Sequence, residues 1–253
     1  MHKAALKDFL DLKYQQYATP AFLADDPIQI PHVYSRKQDI EIAGLFAAIF
    51  AWGQRKTIIN KTKELLERLD NAPYDFIKHA SNHELKSIDG FVHRTFNSVD
   101  VVGFIKGLKI AFSAAGTLEP LFIHPEDTSD LKNGIGQFKA HFVANGMAQR
   151  TYRHLPDPAS GSAAKRINMY LRWMVRSDTV DFGLWKKITP AQLSCPLDVH
   201  SGRVARTLGL LKRPQNDWKA VEELNLSLRK MDHNDPVKYD FALFGLGVFE
   251  GFK

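Results

Sequence analysis

Apolar residues in this chain recur at the three- and four-residue spacing of helices, and no convincing set of alternating runs marks strands. In EIAGLFAAIF the positions Ile42, Leu45, Phe46, Ile49 and Phe50 share one face, and in TIINKTKELLERL so do Ile58, Leu65, Leu66 and Leu69. NSVDVVGFIKGLKIAF repeats the pattern with Val101, Val102, Phe104, Ile105, Leu108 and Ile110. Ser35 gives a capping-box-like start to the first of these helices, and Gly53 an end. With no internal repeat and no low-complexity tract, the pattern predicts an all-α fold.

At 253 residues, 44% hydrophobic and 25% charged, the chain can bury a substantial core as one large domain or two modest ones. Its longest apolar runs, such as GLFAAIFAW, fall short of the roughly 20 residues that span a bilayer, and the stretch from Met1 to Tyr17 lacks a signal-peptide core. A cytoplasmic protein is expected. The single cysteine, Cys195, excludes an internal disulfide framework, a cysteine-based zinc site and a four-cysteine iron–sulfur cluster within the chain. His79 and His83 stand four apart in HASNH, but no glutamate follows the first, so the metalloprotease pattern is missing and no metal is expected.

The net charge is +6, unevenly distributed. Between residues 141 and 213, twelve lysines and arginines face four aspartates, a local excess of +8. A one-sided surplus of this kind is the footprint of a protein that meets a polyanion, although a solvated basic face has the same composition. Lys165, Arg172 and Arg176 are separated by seven and eleven residues from the first, which returns them to nearly one side of a helix.

YRHLPDPASGSAA carries prolines, a glycine and serines, and reads as a turn delivering the chain into the helix AAKRINMYLRWMVR. Lys165 therefore stands in a first turn, where amide protons and the helix dipole already supply positive potential and disfavour an ammonium. In a dry cleft such a lysine becomes a nucleophile able to form Schiff bases; otherwise it is a surface lysine beside Arg166. Farther on, PLDVHSGRVARTLGL sets Asp198 at the mouth of another helix, the place of a cap.

GSAAKRINMYLRW followed by LDVHSGRVARTLGL resembles the helix-hairpin-helix DNA glycosylase superfamily, the endonuclease III and 8-oxoguanine glycosylase group. EIAGLFAAIFAWGQRKTIINKT and FVHRTFNSVDVVGFIKGLKIAF resemble the family's helices before the hairpin, so the likeness runs in consistent order over about residues 35 to 250. The resemblance implies two helical lobes, 36–178 and 1–35 plus 179–253, with a cleft between them. It implies that Lys165 attacks the sugar's anomeric carbon and that Asp198 assists and stabilises the developing charge. Gln54 matches the residue that fills the space of an extruded nucleotide, and Arg55 and Lys56 beside it, with Gly161, Ser162 and Arg166 of the hairpin, would contact DNA. His200 and Arg203 match the same block and read first as structural.

Base extrusion fits such a layout, because the glycosidic carbon is inaccessible in a stacked duplex. Trp52, Trp173, Trp185 and Phe249 are the aromatic candidates for stacking on the base, each first a core residue. The hairpin departs from the family pattern, with Ala163 at its second glycine and Ser160 where proline is common. The separation of 33 residues between Lys165 and Asp198 is similar to that of the archaeal 8-oxoguanine glycosylases. The resemblance thus implies removal of a damaged base, an oxidised purine first, with abasic-site lyase activity, by a monomer acting on double-stranded DNA without cofactor. The alternative is a DNA-binding protein that keeps the scaffold without the reaction.

Overall fold

The computed structural model describes residues 3–127 and 129–252; Thr128, in the polar linker His124–Leu131, lies outside them. The described residues form ten α-helices: α1 (Lys3–Tyr17), α2 (Lys37–Phe50), α3 (Arg55–Arg68), α4 (Pro73–His79), α5 (Ser98–Ala115), α6 (Lys132–Ala144), α7 (Lys165–Val175), α8 (Val199–Thr207), α9 (Trp218–Arg229) and α10 (Tyr239–Val248). The class is all-α. One minimal hairpin interrupts it, β1 (Val92–His93) antiparallel to β2 (Phe96–Asn97), with strands too short to leave an alternating pattern. No helix of the described residues is long and apolar enough to cross a membrane.

The chain divides into two compact units, one of residues 25–124 and 133–156, the other of 1–24, 125–132 and 157–253. This differs from the division expected at residue 178, because α7 belongs with the C-terminal residues. The physical reason lies in its last turn, where Arg172 and Arg176 pair with Asp181, Asp235 and Asp240, all of that unit.

In the first unit α2 is buried on nearly every face, from Ile40 through Phe50. A chain of rings continues its core, from Phe50 and Phe46 through Phe96 and Phe104 to Phe142, Phe138 and Phe122. At Gly107 of α5 a Cβ would stand 2.3 Å from the Phe142 ring, so only glycine admits this approach of α5 to α6. Ser35 does not cap α2. The helix begins at Lys37 after Arg36, whose guanidinium instead pairs with Asp75 and covers the Tyr74 ring. Nor does Gly53 end it, since the last helical residue is Phe50. Asn97 and Asp100 form the capping box of α5, and Arg150 reaches both.

In the second unit α10 packs against α1 and α8. Its apolar content is high enough to be buried almost throughout, with Tyr239, Phe241, Ala242, Leu243 and Leu246 in the core. The four helices α7 to α10 and the extended segment before α8 carry the groups considered next.

Candidate active site

The turn before α7 is built from local hydrogen bonds. Asp157 Oδ1 accepts from Ala159 N at 2.9 Å, and Gly161 takes up a left-handed φ of 88° that suits glycine. Ser162 Oγ accepts from Ala164 N at 3.2 Å. Ala164 also has a positive φ, 48°, a strained conformation for a residue with a Cβ, and it is the residue from which α7 starts. Asn168 holds this corner by donating from Nδ2 to Ala163 O at 3.1 Å. The turn is tied to the start of α9, because Trp218 N donates to Gly161 O at 3.0 Å and Ser162 forms a bridge with Asp217.

Lys165 is the first residue of α7 and is half-buried. Its Nζ lies 3.5 Å from the thioether of Met169, one turn on, and among the described residues it forms no ion pair. Thioether sulfur is a weak acceptor and carries no charge. Arg166 beside it is half-buried too, and burial lowers its guanidinium to about 10, leaving it charged at neutral pH.

Asp198 is the N-cap of α8, as its sequence position predicts. All its side-chain bonds converge on one oxygen: Oδ1 accepts from His200 N at 2.8 Å and Ser201 N at 2.9 Å, with Ser201 Oγ at 3.2 Å. Ser201 Oγ in turn accepts from Asp198 N at 2.9 Å, and Asn216 Nδ2 donates to Asp198 O at 2.9 Å. The carboxylate is thereby fixed, while Oδ2 has no hydrogen bond among the described residues. The cap engages one oxygen only.

Between these two residues in the network lies Asp240 of α10, 6% exposed. Arg172 Nη1 donates to Asp240 Oδ2, and the Cys195 thiol stands 3.9 Å from Asp240 Oδ1. Burial pushes the Asp240 carboxyl above its ordinary range; Arg172 opposes this, Asp198 adds to it and Lys165 opposes it, so both reacting candidates stand within electrostatic reach of one buried carboxylate. Burial and the neighbouring Asp240 also push the Cys195 thiol well up, which leaves it a protonated, inert packing group. Met169 could have been found from its position four residues after Lys165; nothing in the sequence connects Asp240 with either residue.

The remaining site expectations divide. His200 packs its backbone and Cβ on Gly247, and Arg203 Nη2 donates to Gly247 O at 3.0 Å, satisfying a carbonyl at the end of α10. Both contacts lie within a single unit. Gln54, Arg55 and Lys56 lie in the other unit, where Gln54 is the exposed N-cap residue of α3 without a side-chain cap bond and Lys56 is exposed. Trp173 and Trp185 are fully buried and cannot stack on a base, which corrects their candidacy. Trp52 is half-buried under the Arg94 guanidinium, 4.5 Å from its ring, whereas Phe249 is 54% exposed and lies against Tyr17.

The basic surplus also changes meaning. Arg172 and Arg176 are 3% and 2% exposed and neutralised by aspartates, Arg150 pairs with Asp100, and Arg213 with Asp217. Arg172 and Arg176 therefore do not join Lys165 in the exposed basic side that their spacing suggested, while Arg150 and Arg213 stay partly exposed beside their acids. His79 closes α4 and His83 lies beyond it, so the pair does not share a helix, and no group of three or more potential metal ligands occurs among the described residues.

Neither the curated proteins nor the solved structures include a match to this chain. One family model does match, over residues 26–249, and its description is "protein of unknown function". That match spans both units, from the segment before α2 to the end of α10, and includes Lys165, Asp198 and Asp240: the chain belongs to the DUF2400 family.

Proposed function

We propose that this protein is a DNA repair glycosylase that removes a damaged base, an oxidised purine first, through an imine between Lys165 and the sugar. In this reading the Lys165 amine attacks the anomeric carbon, the glycosidic electron pair leaves with the base, and Asp198 accepts the amine proton and offsets positive charge on the sugar. The departed base takes a proton from solvent; the aminal nitrogen then expels the ring oxygen, whose bond to the anomeric carbon breaks as Asp198 returns its proton to that oxygen, and the imine so formed supports strand cleavage as a second step. Gln54 fills the space of the extruded nucleotide, and Arg55, Lys56, Gly161, Ser162 and Arg166 contact the duplex. The protein acts as a monomer in the cytoplasm, at the nucleoid, without a cofactor.

The observation that carries this reading is the division of labour in Asp198, one oxygen fixed by α8 and the other uncommitted, in the same electrostatic neighbourhood as an amine that rests only on sulfur. Borohydride added during incubation with a panel of lesion-bearing duplexes tests it. A covalent adduct is expected with the parent on at least one lesion, and none with Lys165→Gln. Failure to trap on every lesion, together with parent-like duplex affinity in Lys165→Ala and Asp198→Asn, would leave DNA binding without catalysis. Salt dependence of affinity then reports how many phosphates are contacted.

A further inference from the structure

The segment entering α8 is pinned by buried polar side chains. Residues Ser194 to Leu197 are buried, Asn225 Oδ1 accepts from Cys195 N at 3.0 Å, and Asn225 Nδ2 donates to Ser194 Oγ at 2.9 Å. Its other buried polar neighbour is Asp240, through the Cys195 thiol three residues before Asp198. The opposite oxygen of Asp240 is bound by Arg172, seven residues after Lys165 on α7. One carboxylate thus touches both the helix that carries the amine and the segment that carries the second carboxylate. Asp181 shares Arg172 with it and is equally buried, but its partners are the two arginines alone among the side chains named here.

We propose that Asp240 is a positioning residue for the pair Lys165 and Asp198, holding α7 through Arg172 and the entry to α8 through Cys195. The inference rests on the reading of that pair as the reacting groups. Asp240 does not itself meet the sugar. Its role is to fix the separation of the two elements it touches, and to supply a constant field to the amine between turnovers. Charged and titratable groups facing it are Arg172 and Lys165 from α7, Cys195 from the entering segment and Asp198 from the start of α8.

The test compares Asp240→Asn with Asp181→Asn, since both remove one partner of Arg172 and only the first touches the entry to α8. Three quantities are read in the full-length protein: single-turnover adduct trapping at saturating lesion duplex, duplex affinity, and acetylation rates of individual lysines by mass spectrometry without DNA. Asp240→Asn should slow trapping by about a hundredfold, the scale of an ångström misplacement, with affinity little changed. Its Lys165 should acetylate about twofold or more faster relative to the other lysines, because a facing negative charge has gone. Asp181→Asn should leave Lys165 acetylation and trapping at parental values. Equal losses of trapping in the two variants, or Lys165 acetylation that follows the other lysines in Asp240→Asn, would overturn the proposal. Should Asp240→Asn not fold, Cys195→Ala breaks the weaker link while leaving the charge in place; Lys165 acetylation should then stay parental while trapping slows, and parental trapping overturns the proposal. If the parent traps nothing, the glycosylase reading falls while the acetylation comparison still decides whether Asp240 acts on Lys165.

Discussion

At its first residue α7 carries Lys165, half-buried and resting on a thioether; in its last turn it carries Arg172 and Arg176, buried and shared among Asp178, Asp181, Asp235 and Asp240. Both ends are cationic and both lie on one side by spacing, yet one cation is held by acids and the other is not. At the C-terminal end the arginines add to the favourable charge expected near helix carbonyls, and five donors on each guanidinium let one side chain serve several aspartates. At the N-terminal end the dipole opposes a cation and, among the described residues, no acid forms an ion pair with Lys165, Asp240 acting on it only at a distance. The difference teaches that a cation's function follows from its counter-charges, which sequence spacing does not display.

Breaking the C-terminal end should have the largest effect. Arg176→Met leaves Asp181 with Arg172 as its remaining arginine and takes the shared cation from Asp178 and Asp235, and should cost about 3–5 kcal/mol in urea unfolding, the range for removing one partner of a buried pair. A loss below about 1 kcal/mol would show this end to be as dispensable as an exposed ion pair.

The same end should govern pH dependence. Burial pushes the Asp181 carboxyl up to about 6, against the pull of Arg172 and Arg176. Between the ordinary aspartate range near 4 and about 6, the folded protein holds a proton that the unfolded chain has released, so this contribution to stability is present at acid pH and declines as pH rises through that window. Melting temperature measured from pH 4 to 6.5 should fall less steeply in Asp181→Asn than in the parent. Asp178, which burial pushes up but the Asp181 and Val180 amides and Arg176 hold below its usual range, contributes with the opposite sign.

The N-terminal end should respond weakly, and once in the favourable direction. Ala164→Gly removes the Cβ from a left-handed residue and should stabilise the protein by up to about 1 kcal/mol, the reverse of the usual penalty for glycine beside a helix. Lys165→Gln should change stability by no more than about 0.5 kcal/mol, as for a surface substitution, while abolishing the trapped adduct. A large loss of stability would make Lys165 a structural residue and dissolve the contrast.

Much of this was legible because the signals are local. The cap of α8 was readable from aspartate before an apolar-periodic run, the start of α7 from the proline, glycine and serines before it, and α5 from its valines and phenylalanines. The neutralisation of Arg172 and Arg176 was not, since Asp235 and Asp240 lie 59 and 68 residues away and only tertiary packing brings them in. The same pairing moved α7 out of the lobe to which chain order had assigned it. The start of α2 misled for another reason: Ser35 offers a capping hydroxyl, but Arg36 finds Asp75 and Tyr74 instead, and the helix begins one residue beyond it. Asp198 was read as a cap, and the bonds its Oδ1 accepts from the His200 and Ser201 amides are those of an N-cap.

The bond from the Trp218 amide to the Gly161 carbonyl gives the turn before α7 a reporter outside itself. A backbone proton committed to that carbonyl exchanges with solvent only when turn and helix part, so deuterium uptake at a single resolved amide registers the seating of residues 161–162. Any polyanion that grips the turn should slow that uptake, and any that pries it from α9 should hasten it, giving a readout of occupancy that needs neither turnover nor a label.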